Sequence, residues 1–404
     1  MQIFVNPKYD FVKYRFVAMI LSLLIILAGA AIYFTRGINL GIDFKGGANI
    51  VLKFASNPPL GELRSTLPSA VIQQYGAAKD NSVLIRLPQQ RQEGDYAGAV
   101  VTNLHAKLNP QAAGKHDLNY LGTDSLAGLL QQADPDKRGT NAAALQHYRS
   151  VAERVIARRS ELGVFTSMQQ VVSVQGVTPA TATVLNERAF LGRFNLLNQE
   201  TVGPQVGKEL QQKAFWAIVL SSLAMAIYIA FRFEGGLVFG AASLVSIIHD
   251  VLIAMTFVLI MRLEFSLNVV AALLTLVGYS INDTVVMYDR VRENKRKTKQ
   301  PMTLAEHINK GINDTLSRTI LTAGTVLVVL VSLILFGGEV IRGFSWVLFI
   351  GLLSGTYSTL FIVPAVVVAW DNWKNRNRRQ PAVASPAART DVRDDVTNRK
   401  RKAS

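Results

Sequence analysis

Long runs of apolar residues dominate the hydropathy pattern of the chain. The first run, FVAMILSLLIILAGAAIYF, covers residues 16–34. About 20 helical residues cross the hydrocarbon core of a bilayer, so a run of this length predicts a transmembrane helix. Comparable runs follow in the second half of the chain, at residues 214–231, 237–261, 266–288, 316–336 and 343–370. The pattern therefore predicts six transmembrane helices, with the last five packed into residues 214–370.

The first apolar run has a second interpretation as a cleaved signal peptide. Ala28, Gly29 and Ala30 resemble a cleavage site. The apolar core of a signal peptide is about 7–15 residues long. This run has 19 residues and continues past the three small ones. A permanent membrane helix is therefore the favoured interpretation.

Residues 35–213, between the first two runs, have the patterns of a water-soluble α+β domain. Apolar residues alternate with other residues at 38–44 and again at 50–54, which predicts strand on both sides of Gly46-Gly47. A short helix after Pro59, a hairpin made of VIQQYG and SVLIRLP, a helix in GDYAGAVVTNLHAKL and a strand in NLLNQETVG complete the pattern. The order strand, helix, strand, strand, helix, strand predicts a ferredoxin-like domain.

Residues 110–192 exceed what a minimal domain of this kind needs, and their pattern is mainly helical. Within them, residues 174–179, VQGVTP, resemble the turn of a helix-hairpin-helix motif. Such turns can hold a nucleic-acid backbone through glycine amides and helix N-termini. On the outer face of a membrane that role is implausible, so we expect a structural or protein-contact insert.

Basic residues are concentrated in a few of the segments that connect the apolar runs. The net charge is +15, with eight Lys or Arg in residues 289–318 and ten in residues 371–404. The short connections on the other side contain only Arg262 and Arg342. Because Lys and Arg accumulate in cytoplasmic loops, residues 1–15 and the C-terminus are both predicted to be cytoplasmic. Much of the charge is thereby explained without nucleic acid, and the Pro-, Ala- and charge-rich tail at 371–404 is predicted to be disordered.

Composition excludes several kinds of site. The chain has no cysteine, so disulfides, thiolate metal sites and cysteine nucleophiles are excluded. The GGANI segment lacks the Lys-Ser/Thr ending of a phosphate-binding loop. We therefore expect no cofactor and no covalent catalysis.

His249 and Asp250 lie at the centre of the third apolar run. A charge at the middle of a membrane helix costs about 2.5–3.5 kcal/mol on insertion scales, so deep ionisable residues are by default candidate functional sites. Both side chains can carry protons. The alternative is that the pair only ties helices together.

A second polar group, Asn282-Asp283-Thr284, lies towards the cytoplasmic end of the fourth run. Arg318 opens the fifth run and should enter the membrane at about the depth of Asp283, because these two runs are antiparallel neighbours. Asp283 and Arg318 are predicted to form a charge pair, with nearby hydroxyls wetting a proton relay. The alternatives are an interfacial carboxylate for Asp283 and a snorkelling, boundary-marking arginine for Arg318.

The helix after Arg342 also carries small residues in a regular rhythm. Gly351, Gly355 and Ser358 follow a small-xxx-small spacing, which predicts close helix packing.

Five segments together resemble the SecF family, whose members are the smaller membrane partners of SecD in bacterial protein export. They are LGIDFKGGANI, SIIHDVLI, VGYSINDTVVMYDRVREN, LSRTILTAGTVLVVLVSLILFGG and IRGFSWVLFIGLLSGTYSTLFI. The resemblance covers all six apolar runs and both ends of the soluble domain. The insert at 110–192 departs from the family pattern.

The resemblance implies a polytopic membrane protein whose six helices are half of an RND-type bundle, with an α+β ferredoxin-like periplasmic domain. It implies a location in the bacterial inner membrane and use of the proton motive force with SecD to promote late-stage preprotein translocation. Asp283 and Arg318 match the family residues associated with proton transport. The implied partners are SecD, the SecYEG channel, YajC, YidC and the translocating preprotein.

Two other functions remain open at this point. One is a half-size RND-type, proton-coupled exporter of lipids or small molecules, which would need a second six-helix partner. The other is a scaffold that only stabilises SecD. Variants of Asp283 and Arg318 separate a proton-driven motor from a scaffold.

Overall fold

Six long helical segments form the membrane part of the protein in a computed structural model that describes residues 7–88, 95–109, 114–139, 141–233, 235–298 and 302–378. They are α1 (Arg15–Arg36), α9 (Pro204–Arg232), α10 (Gly236–Ile260), α11 (Leu267–Lys297), α12 (Leu304–Phe336) and a last segment made of α13 (Glu339–Tyr357) and α14 (Val363–Arg378). Within these residues, six helices are long and apolar enough to cross a membrane. The predicted number of spans is confirmed.

Several helices extend beyond the apolar runs that predicted them. The basic segment at 289–318, predicted as a loop, is mostly helix, because α11 continues to Lys297 and α12 begins at Leu304. Thr303 starts α12 with a capping box, in which its hydroxyl and the Glu306 carboxylate satisfy each other's backbone N–H groups. α14 likewise continues past Trp370 to Arg378. The remainder of the tail predicted to be disordered lies outside the described residues.

A four-stranded antiparallel sheet forms the centre of the soluble domain between α1 and α9, which we call the sheet domain. Its elements, in chain order, are β1 (Gly47–Phe54), α3 (Leu60–Thr66), β2 (Val71–Tyr75), β3 (Ser82–Pro88), α4 (Tyr96–Leu108) and β6 (Phe194–Val202). The sheet order is β2-β3-β1-β6. This is the β-α-β-β-α-β arrangement of a ferredoxin-like domain, so the predicted fold class is confirmed.

The two faces of this sheet differ in chemistry. Successive side chains of a strand point to opposite faces. One face packs against α3 and α4 and is apolar, with Ile50, Leu52 and Ile85 fully buried beside Leu104 of α4. The other face, which we call the open face, carries Asn49 and further polar side chains of all four strands. Only the apolar face supplies the core of the domain.

The strand predicted at residues 38–44 is wrong. Leu40 makes one isolated bridge to Phe265, and Ile42–Lys45 form a short helix, α2. Gly46 and Gly47 have φ angles of +75° and +131°, conformations that favour glycine, and β1 begins only at Gly47. Ile42 and Phe44 are buried where α2 packs on α9, and none of the alternating apolar residues belongs to a strand of the sheet.

The segment after α4 forms a helical insert with a core of its own. It contains β4 (His116–Asp117), α5 (Thr123–Ala133), α6 (Ala142–Leu162), α7 (Met168–Val172), α8 (Pro179–Arg188) and β5 (Ala189–Phe190). Tyr148 and Phe165 are among its fully buried side chains. The predicted hairpin is present between α7 and α8. Gly176 has φ +95° at the turn, and Thr178 caps α8 through the backbone N–H of Thr181.

A buried carboxylate fastens the insert to the sheet domain. Asp117, 4% exposed, accepts hydrogen bonds from the backbone N–H groups of Asn119 and Gly192, at 2.8 and 2.7 Å. Its other oxygen lies 2.8 Å from Nε2 of His105 on α4. Arg193, which begins the return to β6, donates its backbone N–H to the Asn109 side chain at the end of α4. The two ends of the insert therefore leave the sheet domain at the same place.

Hydrogen bonds and an ion pair connect the sheet domain to one end of the membrane helices. Phe265, in the connection between α10 and α11, exchanges backbone hydrogen bonds with Asn39 and Gly41, at 2.8 and 2.9 Å. The Asp43 carboxylate accepts the backbone N–H of Leu267 at 2.8 Å. Arg86 of β3 forms an ion pair with Glu264 in the same connection. We call this end of the bundle the sheet end.

Within the bundle, glycines allow close helix contacts. A Cβ at Gly29 of α1 would collide with the Thr256 side chain of α10, and one at Gly351 of α13 would lie 2.6 Å from Leu276 Cδ2 of α11. Gly355 faces Ser280 on α11 in the same way, at 3.2 Å. The small-residue spacing predicted to pack helices does so.

Candidate functional site

Asp250 is the most enclosed carboxylate in the membrane helices as far as the structure describes them, with 0% exposure. It lies midway along α10 and accepts hydrogen bonds from three serine hydroxyls. Ser354 Oγ is 2.6 Å from Oδ1, while Ser280 Oγ and Ser358 Oγ are 2.7 and 2.8 Å from Oδ2. A buried charge is tolerated only when it is hydrogen-bonded or paired. We call Asp250 and these three serines the Asp250 cluster.

His249 supplies the fourth contact of the carboxylate. Its Nδ1 lies 2.9 Å from Asp250 Oδ1, and its Nε2 lies 2.9 Å from Ser22 Oγ on α1. A carboxylate only accepts hydrogen bonds, so Nδ1 is the donor towards Asp250. In the neutral imidazole, Nε2 then accepts from the Ser22 hydroxyl.

The Asp250 cluster joins four segments of the bundle. Asp250 belongs to α10, Ser280 to α11 and Ser354 to α13, while Ser22 extends the network to α1 through His249. The hydroxyl of Tyr357 adds a second link to α1 by donating to the carbonyl of Ala18 at 2.8 Å. A substitution of Asp250 would therefore remove hydrogen bonds that link several helices at once.

The helix turn that presents Ser358 is irregular. Ser358–Ile362 form a π-helical turn between α13 and α14. Pro364 follows two residues later and has no N–H to donate back into the preceding turn, which favours a widened helix at this point. Ser358 Oγ also lies 2.9 Å from the donating hydroxyl of Ser246 on α10. Single π turns inside helices occur frequently at functional sites.

A polar line continues from the Asp250 cluster along α11. Thr284, 1% exposed, donates its hydroxyl to the carbonyl of Ser280 at 3.2 Å and lies 3.1 Å from Thr359 Oγ1. Ser280, Asp283 and Thr284 are at positions i, i+3 and i+4 of α11, so Ser280 lies next to the other two, one turn away. The structure therefore brings Asp250, His249 and Thr284 into one continuous polar region.

Asp283 is buried, with 4% exposure, as expected for a carboxylate held between helices. Among the described residues, its carboxylate has no hydrogen-bond partner. The charge of Arg318 acts on it electrostatically from α12. The predicted direct pair is not formed: within the described chain no ion pair joins these two side chains. The Arg318 side chain is exposed at the surface of the bundle.

Asn282 departs from the prediction in the same way. It was expected to contribute to the relay beside Asp283, but its side chain is exposed on the outer surface of α11. Adjacent helical positions point about 100° apart, and the rotation of α11 turns Asp283 and Thr284 towards the interior and Asn282 away from it. The hydroxyls of Thr322 and Thr325 on α12 also bond to carbonyls of their own helix, of Arg318 and Thr322 respectively.

Ser22 and Ser354 are among the residues of this site that sequence reasoning missed. Their hydroxyls are common in membrane helices, and only the contact with Asp250 or His249 distinguishes them. The spacing of Ser354 and Ser358, four residues apart, was an available signal, because such positions share one helix face.

Metal binding finds no support in the described part of the chain. It contains no group of three or more His, Asp or Glu side chains arranged to hold a metal ion. The chemistry available to the site is proton binding and hydrogen bonding by one imidazole, two buried carboxylates and several hydroxyls.

Two family profiles match the chain. The profile described as the C-terminal part of protein export membrane proteins SecD/SecF matches residues 183–373, and the SecD/SecF GG motif matches residues 34–57. The first includes α10, α11 and the last helices, and therefore the whole Asp250 cluster. The second includes the turn at Gly46 and Gly47.

Relatives of this family match almost the whole chain. A protein translocase subunit SecF of Koribacter versatilis is 38% identical over 412 aligned positions, which cover 98% of this chain and all of the relative. A SecF of Gemmatimonas aurantiaca is 30% identical and covers 97% of each chain.

A solved structure has the same fold. The crystal structure of SecDF, a translocon-associated membrane protein from Thermus thermophilus, is 28% identical with a TM-score of 0.62. The match covers 92% of this chain and 40% of the SecDF chain. This chain therefore corresponds to less than half of SecDF.

Proposed function

Since the chain belongs to the SecD/SecF protein-export family, we propose that it acts with SecD as a proton-driven subunit of the Sec translocase. In this proposal it promotes the late stage of preprotein movement across the inner membrane. The proton motive force supplies the energy, and no covalent reaction takes place in the chain. The exporter of lipids or small molecules is less well supported, because the similar proteins are translocase subunits.

The observation that carries the proposal is the buried Asp283 carboxylate. This carboxylate is buried in a membrane helix and has no hydrogen-bond partner in the described structure. The positive charge of Arg318 acts on it electrostatically. A fixed cation favours the charged carboxylate, while removal from water favours the protonated one. A small helix movement that changes the distance to Arg318 would therefore load or release a proton. A membrane potential supplies about 2.3 kcal/mol per charge for each 100 mV, which can drive such a movement.

Two exposed polar side chains support partnership with a second membrane subunit. Arg318 and Asn282 are exposed on the membrane helices of the isolated chain. Arginine facing lipid within the membrane is costly, so the surface around Arg318 is better covered by protein. We assign it to SecD, because this chain matches 40% of a SecDF chain. SecYEG, YajC, YidC and the translocating preprotein are the further partners of the proposal.

The proposed orientation places both termini in the cytoplasm and the sheet domain on the periplasmic side. It rests on the basic residues of the segment at 289–318, which lies at the end of the bundle opposite the sheet domain.

Export of a model preprotein in cells carrying Asp283→Asn tests the proposal. The amide cannot take up and release a proton, so we expect loss of the stimulation of export by the proton motive force, with SecD assembly unchanged. The matched control is Asp289→Asn, a change to an exposed carboxylate on the same helix that pairs with Arg292. Normal export with Asp283→Asn would leave the scaffold role as the explanation. Co-purification with an outer-membrane efflux channel and without SecY would favour the exporter.

A further inference from the structure

A cavity of about 680 Å³ separates the open face of the sheet from the sheet end of the membrane helices. One wall is the open face of β1, β2, β3 and β6. The other wall is the connection between α10 and α11 together with the start of α13. Ligand sites typically occupy about 300–1,000 Å³, so this space can hold a ligand of several amino-acid residues.

Carboxamide side chains are the recurring feature of the wall. Those that line it include Asn39, Asn49, Gln73, Asn198 and Asn268. Each carboxamide offers a hydrogen-bond donor and an acceptor, the same two functions that a peptide group carries. Within the described structure, the side-chain oxygen of Asn49 is buried and has no hydrogen-bond partner. A wall of this kind can bond to a polypeptide backbone whatever its side chains are.

The charges of the wall come in both signs. The basic side chains that line the cavity include Arg86 and Arg262, and the acidic ones are Asp43, Glu200 and Glu264. Arg86 and Glu264 neutralise each other as an ion pair. The wall therefore imposes no strong preference for an acidic or a basic ligand, in contrast to sites that bind phosphates or nucleic acids.

Apolar side chains complete the lining. Leu84 and Val51 lie at the centre of the open face, and Phe344 and Trp346 of α13 face them across the cavity. An extended peptide presents backbone groups and alternating side chains, so it needs both polar and apolar contacts. A lipid acyl chain would leave the carboxamides unpaired, which is costly in a buried site.

We propose that this cavity binds a short extended segment of the translocating polypeptide, recognised mainly through its backbone. The inference rests on the proposed function and adds to it a binding site for the preprotein. The position is favourable for coupling, because the connection that forms one wall continues directly into α11, the helix that carries Asp283.

Cysteine cross-linking tests the proposal, since the chain has no cysteine of its own. Gln73→Cys places a thiol in the cavity wall. The matched control, Asn103→Cys, places one on the exposed side of α4, beyond the opposite face of the sheet. Membrane vesicles would contain the full chain with SecD and SecYEG. A preprotein with single cysteines would be arrested during translocation, and a short bismaleimide added.

We expect a preprotein adduct with Gln73→Cys and only background with Asn103→Cys. Adding Asn49→Leu should lower the Gln73→Cys adduct about fivefold, as loss of a hydrogen bond of ordinary strength predicts. Equal adducts at both positions, or an adduct with SecD in place of the preprotein, would overturn the inference. So would the absence of an adduct while the same arrested chain cross-links to SecY.

The proposed function fails by a different result. If Asp283→Asn leaves proton-driven export intact, the motor is refuted whatever the cross-linking shows. If Asp283→Asn blocks export and Gln73→Cys gives no adduct, the motor stands and the binding site falls.

Discussion

Replacing Asp250 with alanine removes the acceptor of four hydrogen bonds at once. Hydrogen bonds between membrane helices contribute about 0.6 kcal/mol each on average and about 1.7 at most. Four average contributions sum to about 2.4 kcal/mol. Ser358 recovers part of its share, because its hydroxyl already lies 3.1 Å from the carbonyl of Gly355. The imidazole of His249 has no such second acceptor at Nδ1 among the described residues. We therefore expect Asp250→Ala to lower the free energy of unfolding by about 2–3 kcal/mol.

Serine variants supply the matched controls for this prediction. Ser354→Ala removes one donor and leaves the other three in place, so we expect a loss of about 0.6 kcal/mol. In the Asp250→Ala background the same serine has already lost its acceptor, and Ser354→Ala should then cost almost nothing. This non-additivity is the signature of a direct contact between the two side chains.

Equilibrium unfolding of the full chain in lipid nanodiscs measures these losses, with SecD absent so that contacts with this partner do not contribute. The hydrogen-bonding role of Asp250 is refuted if Asp250→Ala changes the unfolding free energy by less than the single-serine variant does. It is equally refuted if Ser354→Ala costs the same in both backgrounds, because the serine would then act through packing alone.

Three further predictions concern other parts of the chain. Gly29→Ala should destabilise the packing of α1 on α10 by about 1–3 kcal/mol, as overpacking does, whereas Gly324→Ala, with nothing within 4 Å of the added Cβ, should be close to neutral in the same unfolding measurement. The pKa of Asp134 in the insert is held below its ordinary value of 3.8, chiefly by the backbone N–H of Gly139. The associated stabilisation is present above pH 3.8 and is lost as the pH falls through the lowered pKa. With Asp134→Asn, the stability of the insert, followed by circular dichroism during unfolding, should therefore fall less steeply as the pH is lowered. Arg86→Ala should increase hydrogen exchange in the connection between α10 and α11, because it removes one of the side-chain links to the sheet domain; unchanged exchange there would contradict this role.

The hydrophobic pattern predicted the fold well because the membrane and the buried face of the sheet each require a distinct pattern of apolar residues. A membrane helix needs a long apolar run, and a sheet with one buried face needs alternation, so the spans and the strands β2, β3 and β6 could be predicted. Residues 38–44 show the limit of this reasoning. Their alternation is real, but Gly46 and Gly47 turn the chain and α9 covers Phe44, so tertiary packing decided the local structure.

The positions of charged residues predicted burial more accurately than they predicted side-chain contacts. Asp283 is buried as expected, because a carboxylate at that depth has to avoid lipid. Contact with Arg318 depended on the rotation of α12, which sequence spacing alone does not determine. That rotation leaves the arginine exposed and the predicted direct pair unformed.

The serines of the Asp250 cluster show why small residues in membrane helices need to be considered for two roles together. Gly355 and Ser358 were predicted as packing residues, and Gly355 does allow α13 to approach Ser280. That same approach brings the hydroxyls of Ser280 and Ser358 to the Asp250 carboxylate. A larger residue at Gly355 would therefore separate the helices and also leave a buried carboxylate with fewer donors. Helix packing and hydrogen bonding to Asp250 therefore depend on the same close approach of α13 to α11, and this approach makes a buried carboxylate tolerable at the centre of the bundle. The Asp250 carboxylate in turn holds the His249 imidazole in place through Nδ1.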